Sequence, residues 1–387
     1  MDFAYTEAQE AVRDNIARIC TQFDDAYWRA RDSEGTFPHE LYRALADGGW
    51  LGICMPTDYG GAGLGITEAA IMMQTIAQSG AGFSGASAIH MNIFGLNPVV
   101  VFGTDEQKRR MLPPLIAGQE KACFGVTEPD AGLDTTAIKT RAERHGDRYI
   151  VHGQKIWTST AQVADKILLL ARTTPAGQGR RTEGLSLFYT TLDRRHVEVR
   201  QIEKMGRAAV DSNQVFFDGL EIPVEDRIGE EGQGFRNILH GMNPERVLVA
   251  AEAVGLGHCA LDRARRYASE RKVFGRLIGQ NQAIQHPLAE SWMELEAARM
   301  MVMQAAWAYD TGRDAGALAN TAKYLAAEAG FKACTQAVMT HGGMGYAKDF
   351  HVERYLRESI IPRLTPVSRE LILCHIAERV LGLPKSY

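Results

Sequence analysis

The sequence predicts an α+β protein in three parts: an N-terminal all-α domain over residues 1–120, a middle β-sandwich or barrel over 121–230, and a C-terminal four-helix bundle over 231–387. Three observations predict it. Apolar residues recur with helical spacing from Thr6 to about Gly118, the period changes to alternation between Lys121 and about Ile228, and the helical period returns from about Gly234 and holds to the end.

In the first part, Thr6 with Gln9 and Thr104 with Gln107 match the capping box, in which two side chains satisfy free amides at a helix start. Pro38 suits a first helical position, where its missing N–H is not needed. Leu41, Ala44 and Leu45 share a helix face and predict a buried stripe. The helical part closes near Pro113-Pro114 and Gly118.

In the second part, residues 149–152 follow a Gly146-Asp147 turn and alternate as a strand. Residues 166–170, 185–189 and 214–217 read as further strands, and the short strands separated by polar turns predict a sandwich or barrel. Residues 173–183, rich in Thr, Gly and Arg, predict an exposed loop. The third part carries helical runs at 247–267, 282–309 and 316–339 with a shorter one at 367–381, which together suit an antiparallel bundle.

Composition narrows the functions. The chain has 387 residues, 45% hydrophobic and 23% charged, with a net charge of -4, so neither nucleic acid nor an anionic membrane surface is expected as a partner. Cys20, Cys54, Cys123, Cys259, Cys334 and Cys374 form no Cys-x-x-Cys pair and read as reduced thiols, without a disulfide framework. The 11 histidines lack metal-ligand spacing, and no metal is expected. Met1-Asp2-Phe3-Ala4 has no basic start before an apolar run, and no apolar segment reads as long enough to span a bilayer. The protein is therefore expected in the cytoplasm.

The stretch with most chemical content is residues 123–136, Cys-Phe-Gly-Val-Thr-Glu-Pro-Asp-Ala-Gly-Leu-Asp-Thr-Thr. It starts as an apolar strand and breaks at Thr127-Glu128-Pro129 into a loop whose Ala131 and Gly132 let backbone approach a ligand. Alone, it reads as an ordinary strand-to-turn junction. Its wording resembles the flavin-binding signature of the acyl-CoA dehydrogenase family, and Gly153-Gln154-Lys155-Ile156-Trp157-Thr158-Ser159 resembles the family's second flavin segment. The resemblance extends through 56–63, 103–108, Arg271-Lys272-Val273-Phe274-Gly275 and His341-Gly342-Gly343-Met344-Gly345-Tyr346, in family order.

That resemblance implies FAD as cofactor, and no strand–Gly-x-Gly-x-x-Gly–helix fingerprint for a nicotinamide is present. It implies Phe124, Val126 and Thr127 against the flavin ring, Trp157 packed on it, and Ser159 near its N5 in place of the usual Thr. Gly132 and Leu133 fall at the pyrophosphate, Leu133 where Ser is usual and also beside the substrate. Arg271, Phe274 and Gln282 match residues that reach FAD from a neighbouring subunit, which implies a homotetramer. Gly342 and Gly343 match the glycine pair near the adenosine, Met339 stands where Gln is common, and Ser368 and Glu370 match further cofactor positions. Without the resemblance, Trp157 reads as a core aromatic and Arg271 as a solvated charge.

The base departs from the commonest pattern. A Glu is usual shortly after an Arg-Asp pair near the C-terminus; here the pair is Arg357-Glu358, and a gapless count puts Pro366 at the Glu position. Proline offers neither a carboxylate nor an N–H donor. The branch typified by isovaleryl-CoA dehydrogenase carries its Glu on the first long bundle helix, where this chain has Asn243-Pro244-Glu245-Arg246. Glu245 is thus the candidate base. Asn243 is expected to cap the helix and Pro244 to open it, so that the helix dipole favours an ionised Glu245; the rival reading is that Glu245 serves only the dipole or an ion pair. Asn243 and Arg246 match positions at the pantetheine of CoA. His90 and His341 read as packing residues.

The resemblance implies α,β-dehydrogenation of a short or branched acyl-CoA in fatty acid or amino acid catabolism, with an electron-transfer flavoprotein as acceptor. Three rivals follow: a redox-neutral lyase or desulfinase, an enoyl-CoA reductase, and a non-catalytic acyl-CoA-binding protein.

Overall fold

A computed structural model of the chain describes residues 4–175 and 180–386. Met1, Asp2 and Phe3 of the N-terminal reading, and residues 176–179 of the predicted 173–183 loop, lie outside them.

Helix α1 (Glu7–Cys20) starts at its predicted box: Gln9 N donates to the Thr6 hydroxyl at 3.3 Å and Thr6 N to the Gln9 side chain at 3.1 Å. After α2 (Asp25–Glu34) comes α3 (His39–Asp47), whose cap, and not its first residue, is Pro38. Leu41 and Leu45 on α3 are fully buried, with Ala44 packed at the edge of the same core. Helices α4 (Ile66–Ile76), α5 (Gly82–Phe94) and α6 (Asn97–Phe102) lead to α7 (Asp105–Ile116), which uses the second predicted box and passes through Pro113-Pro114 before it stops.

From Ile66 to Phe102 these helices run on closely enough to form an apolar stretch that could cross a bilayer by length and composition, which the sequence reading did not expect. The glycines at 80 and 82 kink this run at a π turn without ending it. Its most apolar window is 78% buried inside the protein, as befits core helices.

The middle part is one sheet. Its strands are β1 (Ala122–Gly125), β2 (Arg141–His145), β3 (Arg148–Ser159), β4 (Lys166–Arg172), β5 (Leu185–Thr191), β6 (Val197–Gln201), β7 (Ser212–Pro223) and β8 (Arg227–Ile228). They lie in the order β6-β7-β3-β2-β4-β5-β8, with β1 parallel to β4 and Phe124 opposite Leu168. Because side chains alternate along a strand, β4 and β5 serve two cores. Leu168, Leu170 and Leu187 join the helical core, whereas Ile167, Leu169 and Phe188 join Tyr149, Val151 and Val215 in a core of the β part. This explains why 166–170 is apolar without a break.

The C-terminal part comprises α8 (Gly234–Leu239), α9 (Met242–Glu270), the ribbon β9 (Lys272–Val273) and β10 (Arg276–Leu277), α10 (Gln282–Asp310), α11 (Gly316–His341), α12 (Val352–Glu358), α13 (Ile361–Leu364) and α14 (Arg369–Arg379). Small residues let α9 and α11 approach closely: a Cβ on Gly330 would lie 2.7 Å from the Ala253 carbonyl oxygen, and one on Gly257 would lie 3.2 Å from Gly330 Cα. The predicted fourth helix is α14, which starts at Arg369 because the Ser368 hydroxyl caps it, accepting from Leu371 N at 3.2 Å.

Candidate active site

At the end of β1 the chain enters the loop that begins at Thr127, and one buried ion pair fixes its path. The Glu128 carboxylate accepts from Lys139 N at 2.6 Å, Thr140 N at 2.9 Å and Lys155 Nζ at 2.8 Å, while Lys155 also donates to the Val126 carbonyl at 3.0 Å. Burial pushes the Lys155 pKa down to about 8, against the pull of Glu128. Burial alone would raise Glu128, but Lys155 and the two amides outweigh it and hold its pKa low. The pair was not anticipated from sequence, where Glu128 and Lys155 are indistinguishable from surface charges.

Strand β3 delivers Trp157. Pairing with β7 shifts register between Lys155 and Thr158, and Trp157 in that bulge takes φ 61, in the left-handed region that non-glycine residues rarely adopt. The bulge re-aims the indole, leaving it 58% exposed on the wall of a cleft of about 1350 Å3. Phe124, Val126, Thr127, Gly132, Leu133 and Ser159 line that cleft, and so do Asn243, Glu245, Arg246 and Pro366. Helix α9 begins at Met242, so Asn243 and Pro244 lie inside its first turn and Asn243 is not the cap. The Asn243 side-chain oxygen Oδ1 instead accepts from Arg246 Nη1 at 2.9 Å. The start of α9 was expected to favour an ionised Glu245, yet burial dominates and raises its pKa to about 7; His90 and Arg246 pull it down and Glu252 pushes it up.

Three residues of the cleft were missed. His90 on α5 was read as packing, but its Nδ1 bonds Glu252 on α9 and both line the cleft. Glu252 carries a sequence signal, a carboxylate in the otherwise apolar face of α9. Arg207 carries none: at φ 55 it donates to the hydroxyls of Ser159 at 2.9 Å, Ser212 at 3.2 Å and Ser87 at 3.3 Å.

The remaining predicted cofactor residues lie elsewhere. Arg271, Phe274, Gln282, Met339, Gly342 and Gly343 are exposed around the β9–β10 ribbon, the start of α10 and the end of α11, with Phe274 fully exposed at φ 52. Ser368 is engaged as a cap and Glu370 is exposed in the first turn of α14. Glu358 is fully buried, accepting from Phe83 N and the Ser84 hydroxyl at 2.7 Å each, and thus holds α12 to α5 away from the chemistry. His341 packs on Tyr267 and bonds the Ala337 carbonyl at 2.7 Å. Among the described residues no cluster of His, Cys, Asp and Glu could hold a metal.

The cleft lies between a β part and a helical part, with an outward indole on one wall and a half-buried carboxylate of near-neutral pKa on another, the kind of pairing that a proton-transfer site beside a planar ligand requires. The acyl-CoA dehydrogenase N-terminal, middle and C-terminal domains match residues 6–119, 123–220 and 232–381. The chain belongs to the acyl-CoA dehydrogenase family, oxidoreductases acting on CH–CH groups. It is 36% identical over 393 residues to acyl-CoA dehydrogenase FadE12 of Mycobacterium tuberculosis, covering 100% of this chain and 99% of that one. It is 34% identical over 359 residues to 3-(aryl)acrylate reductase of Clostridium sporogenes, covering 92% and 93%. Among solved structures, the FAD complex of PigA superposes with a TM-score of 0.92 at 27% identity, over 99% and 100% of the two chains.

The cleft suits the flavin the family uses. Its volume of about 1350 Å3 exceeds the roughly 300–1,000 Å3 of a single small-ligand pocket, which leaves space for a thioester beside a dinucleotide. The outward Trp157 offers the flat apolar face a flavin ring needs, and Gly132 at φ 53 has open space where a Cβ would stand.

Proposed function

We propose that the protein binds FAD and removes hydrogen from the α and β carbons of an acyl-CoA thioester, with Glu245 as the base. The observation that carries this reading is that Glu245 lines the same cleft as the flavin-loop residues and as Pro366, which supplies no carboxylate. When bound, FAD supplies the hydride acceptor that no side chain can provide. Glu245 takes the α proton, and a pKa of about 7 lets it hold or release that proton near neutral pH. Phe124, Val126 and Thr127 on one side and Trp157 on another hold the flavin ring, and apolar Phe94 and Val249 in the lining keep water from the reacting carbons. Asn243 and Arg246, bonded to each other, orient the pantetheine arm near Glu245.

The finer reading is a cytoplasmic homotetramer that passes its electrons to an electron-transfer flavoprotein and takes a short or branched acyl group in fatty acid or amino acid catabolism. Arg271, Phe274, Gln282, Met339, Gly342 and Gly343 support the assembly, because as exposed residues outside the chain's own cleft they are free to complete a neighbour's cofactor site. Ser368 and Glu370, at the start of α14, do not line the cleft. A second reading runs the same chemistry toward the saturated thioester, and the similarity to a 3-(aryl)acrylate reductase favours it over a lyase or a non-catalytic binding protein.

Anaerobic titration with short, branched, medium and substituted acyl-CoAs, watching the visible flavin band, tests the proposal. Bleaching by one of them is expected; spectral shifts without bleaching by any member would overturn oxidation as the reaction.

A further inference from the structure

Among the charged groups that act on Glu245 are His90 and Glu252, which proton abstraction does not require. Glu252 sits seven residues along α9 from Glu245, about two helical turns and on the same face, and is only 1% exposed. Across from it on α5, His90 is buried, with Nδ1 on the Glu252 carboxylate and its ring edge-on to Phe94 at 4.7 Å between centroids. Those two contacts fix the imidazole in place. Its Nε2 is left without a hydrogen bond among the described residues, on a residue that lines the cleft.

We propose that His90, held by Glu252, offers Nε2 to a hydroxyl on the acyl chain, so that the preferred substrates are hydroxylated acyl thioesters. This rests on the reading of Glu245 as the base.

Three arguments support it. A bare alkyl chain laid over Nε2 would strip water from a polar nitrogen and return nothing, and buried unpaired polar groups are costly. A hydroxyl both donates and accepts, so it satisfies Nε2 whether or not the ring is charged. Burial disfavours the charged ring, but the charge and hydrogen bond of Glu252, with Glu245 beyond, outweigh it and raise the His90 pKa, which favours donation from Nε2. The groups facing His90 are Glu252 and Glu245 from α9 and Arg207 from the loop before β7. Basic groups, His90 and Arg207, thus face acidic ones, Glu252 and Glu245, and the cluster does not call for an acyl group with a charge of its own. With Glu252 about two turns along α9 from Glu245, the proposal puts the hydroxyl beyond the β carbon.

The test is to compare hexanoyl-CoA with its 5-hydroxy and 6-hydroxy derivatives on the FAD-loaded protein. Dissociation constants come from the flavin-band shift and kcat/KM from turnover. The wild type should favour one hydroxylated member by about tenfold or more, because sites built to bond a hydroxyl discriminate strongly against its absence. His90→Leu should bring that ratio to about one, while His90→Gln, which keeps a donor, should retain part of it. Equal handling of all three thioesters by the wild type, or an unchanged ratio in His90→Leu, would overturn the inference. If His90→Leu does not fold, as judged by FAD content and Tm, Glu252→Gln takes its place with the same reduced ratio expected. The two readings fail separately: bleaching that survives Glu245→Gln removes the base, whereas a missing hydroxyl preference with Glu245-dependent bleaching removes only the His90 subsite.

Discussion

Glu245, in the first turn of α9, and Pro366, between α13 and α14, line one cleft. With Glu245 as the proposed base, the carboxylate that Pro366 does not supply comes from another wall of the same cleft. The two positions come from separate parts of the bundle, and only the fold brings them together.

The base should titrate near neutrality. Because Glu245 must be ionised to accept a proton, kcat/KM should rise with pH through a limb near the raised pKa of about 7, and a limb near the ordinary 4.5 would contradict the burial argument. Stability runs the other way. A folded pKa above the unfolded one means that the folded state binds the proton more tightly, so the benefit is full below pH 4.5 and is lost as pH rises through about 7. At pH 8 Glu245→Gln should be more stable than wild type by about 1–3 kcal/mol, measured by denaturant unfolding.

Removing Lys155 should damage both fold and cofactor loop. Lys155→Met leaves the Glu128 carboxylate buried without its cation, a loss of about 3–5 kcal/mol. A lower Tm with weaker FAD retention is expected; an unchanged Tm would show that the loop is braced by the backbone amides alone.

Trp157 should behave oppositely. More than half of its surface is exposed, so Trp157→Ala should change the stability of the FAD-free protein by less than about 1 kcal/mol while lowering FAD retention markedly. Equal FAD content in wild type and variant, measured from the absorbance ratio, would count against the stacking role.

Arg271 is exposed and makes no ion pair among the described residues. Arg271→Ala should leave thermal stability of the chain within about 0.5 kcal/mol yet lower FAD occupancy and the tetramer fraction seen by light scattering. Retention of both would remove the contribution to a neighbouring subunit.

The helix starts at Thr6 and Thr104 and the buried run at β4 were legible because each rests on local chemistry or on a period. The gathering of residues 124–133 at one cleft was legible too, because their wording is contiguous. The His90–Glu252 pair was not legible: its members are 162 residues apart, and a histidine gives no local sign of its partner. Arg207 depends on three serines from three segments. The expected cap at Asn243 failed because α9 begins at Met242, before the proline that was read as its first residue. Tertiary burial then reversed the expected effect of the helix start on Glu245.

The role of Glu245 as base is tested by mixing anaerobic, FAD-loaded Glu245→Gln with the acyl-CoA that bleaches the wild type fastest and following the flavin band in a stopped-flow instrument. FAD content equal to wild type, a retained binding shift, and flavin reduction slower by about 10²-fold or more are expected. Reduction at near-wild-type rate would contradict that role and place the base on another residue.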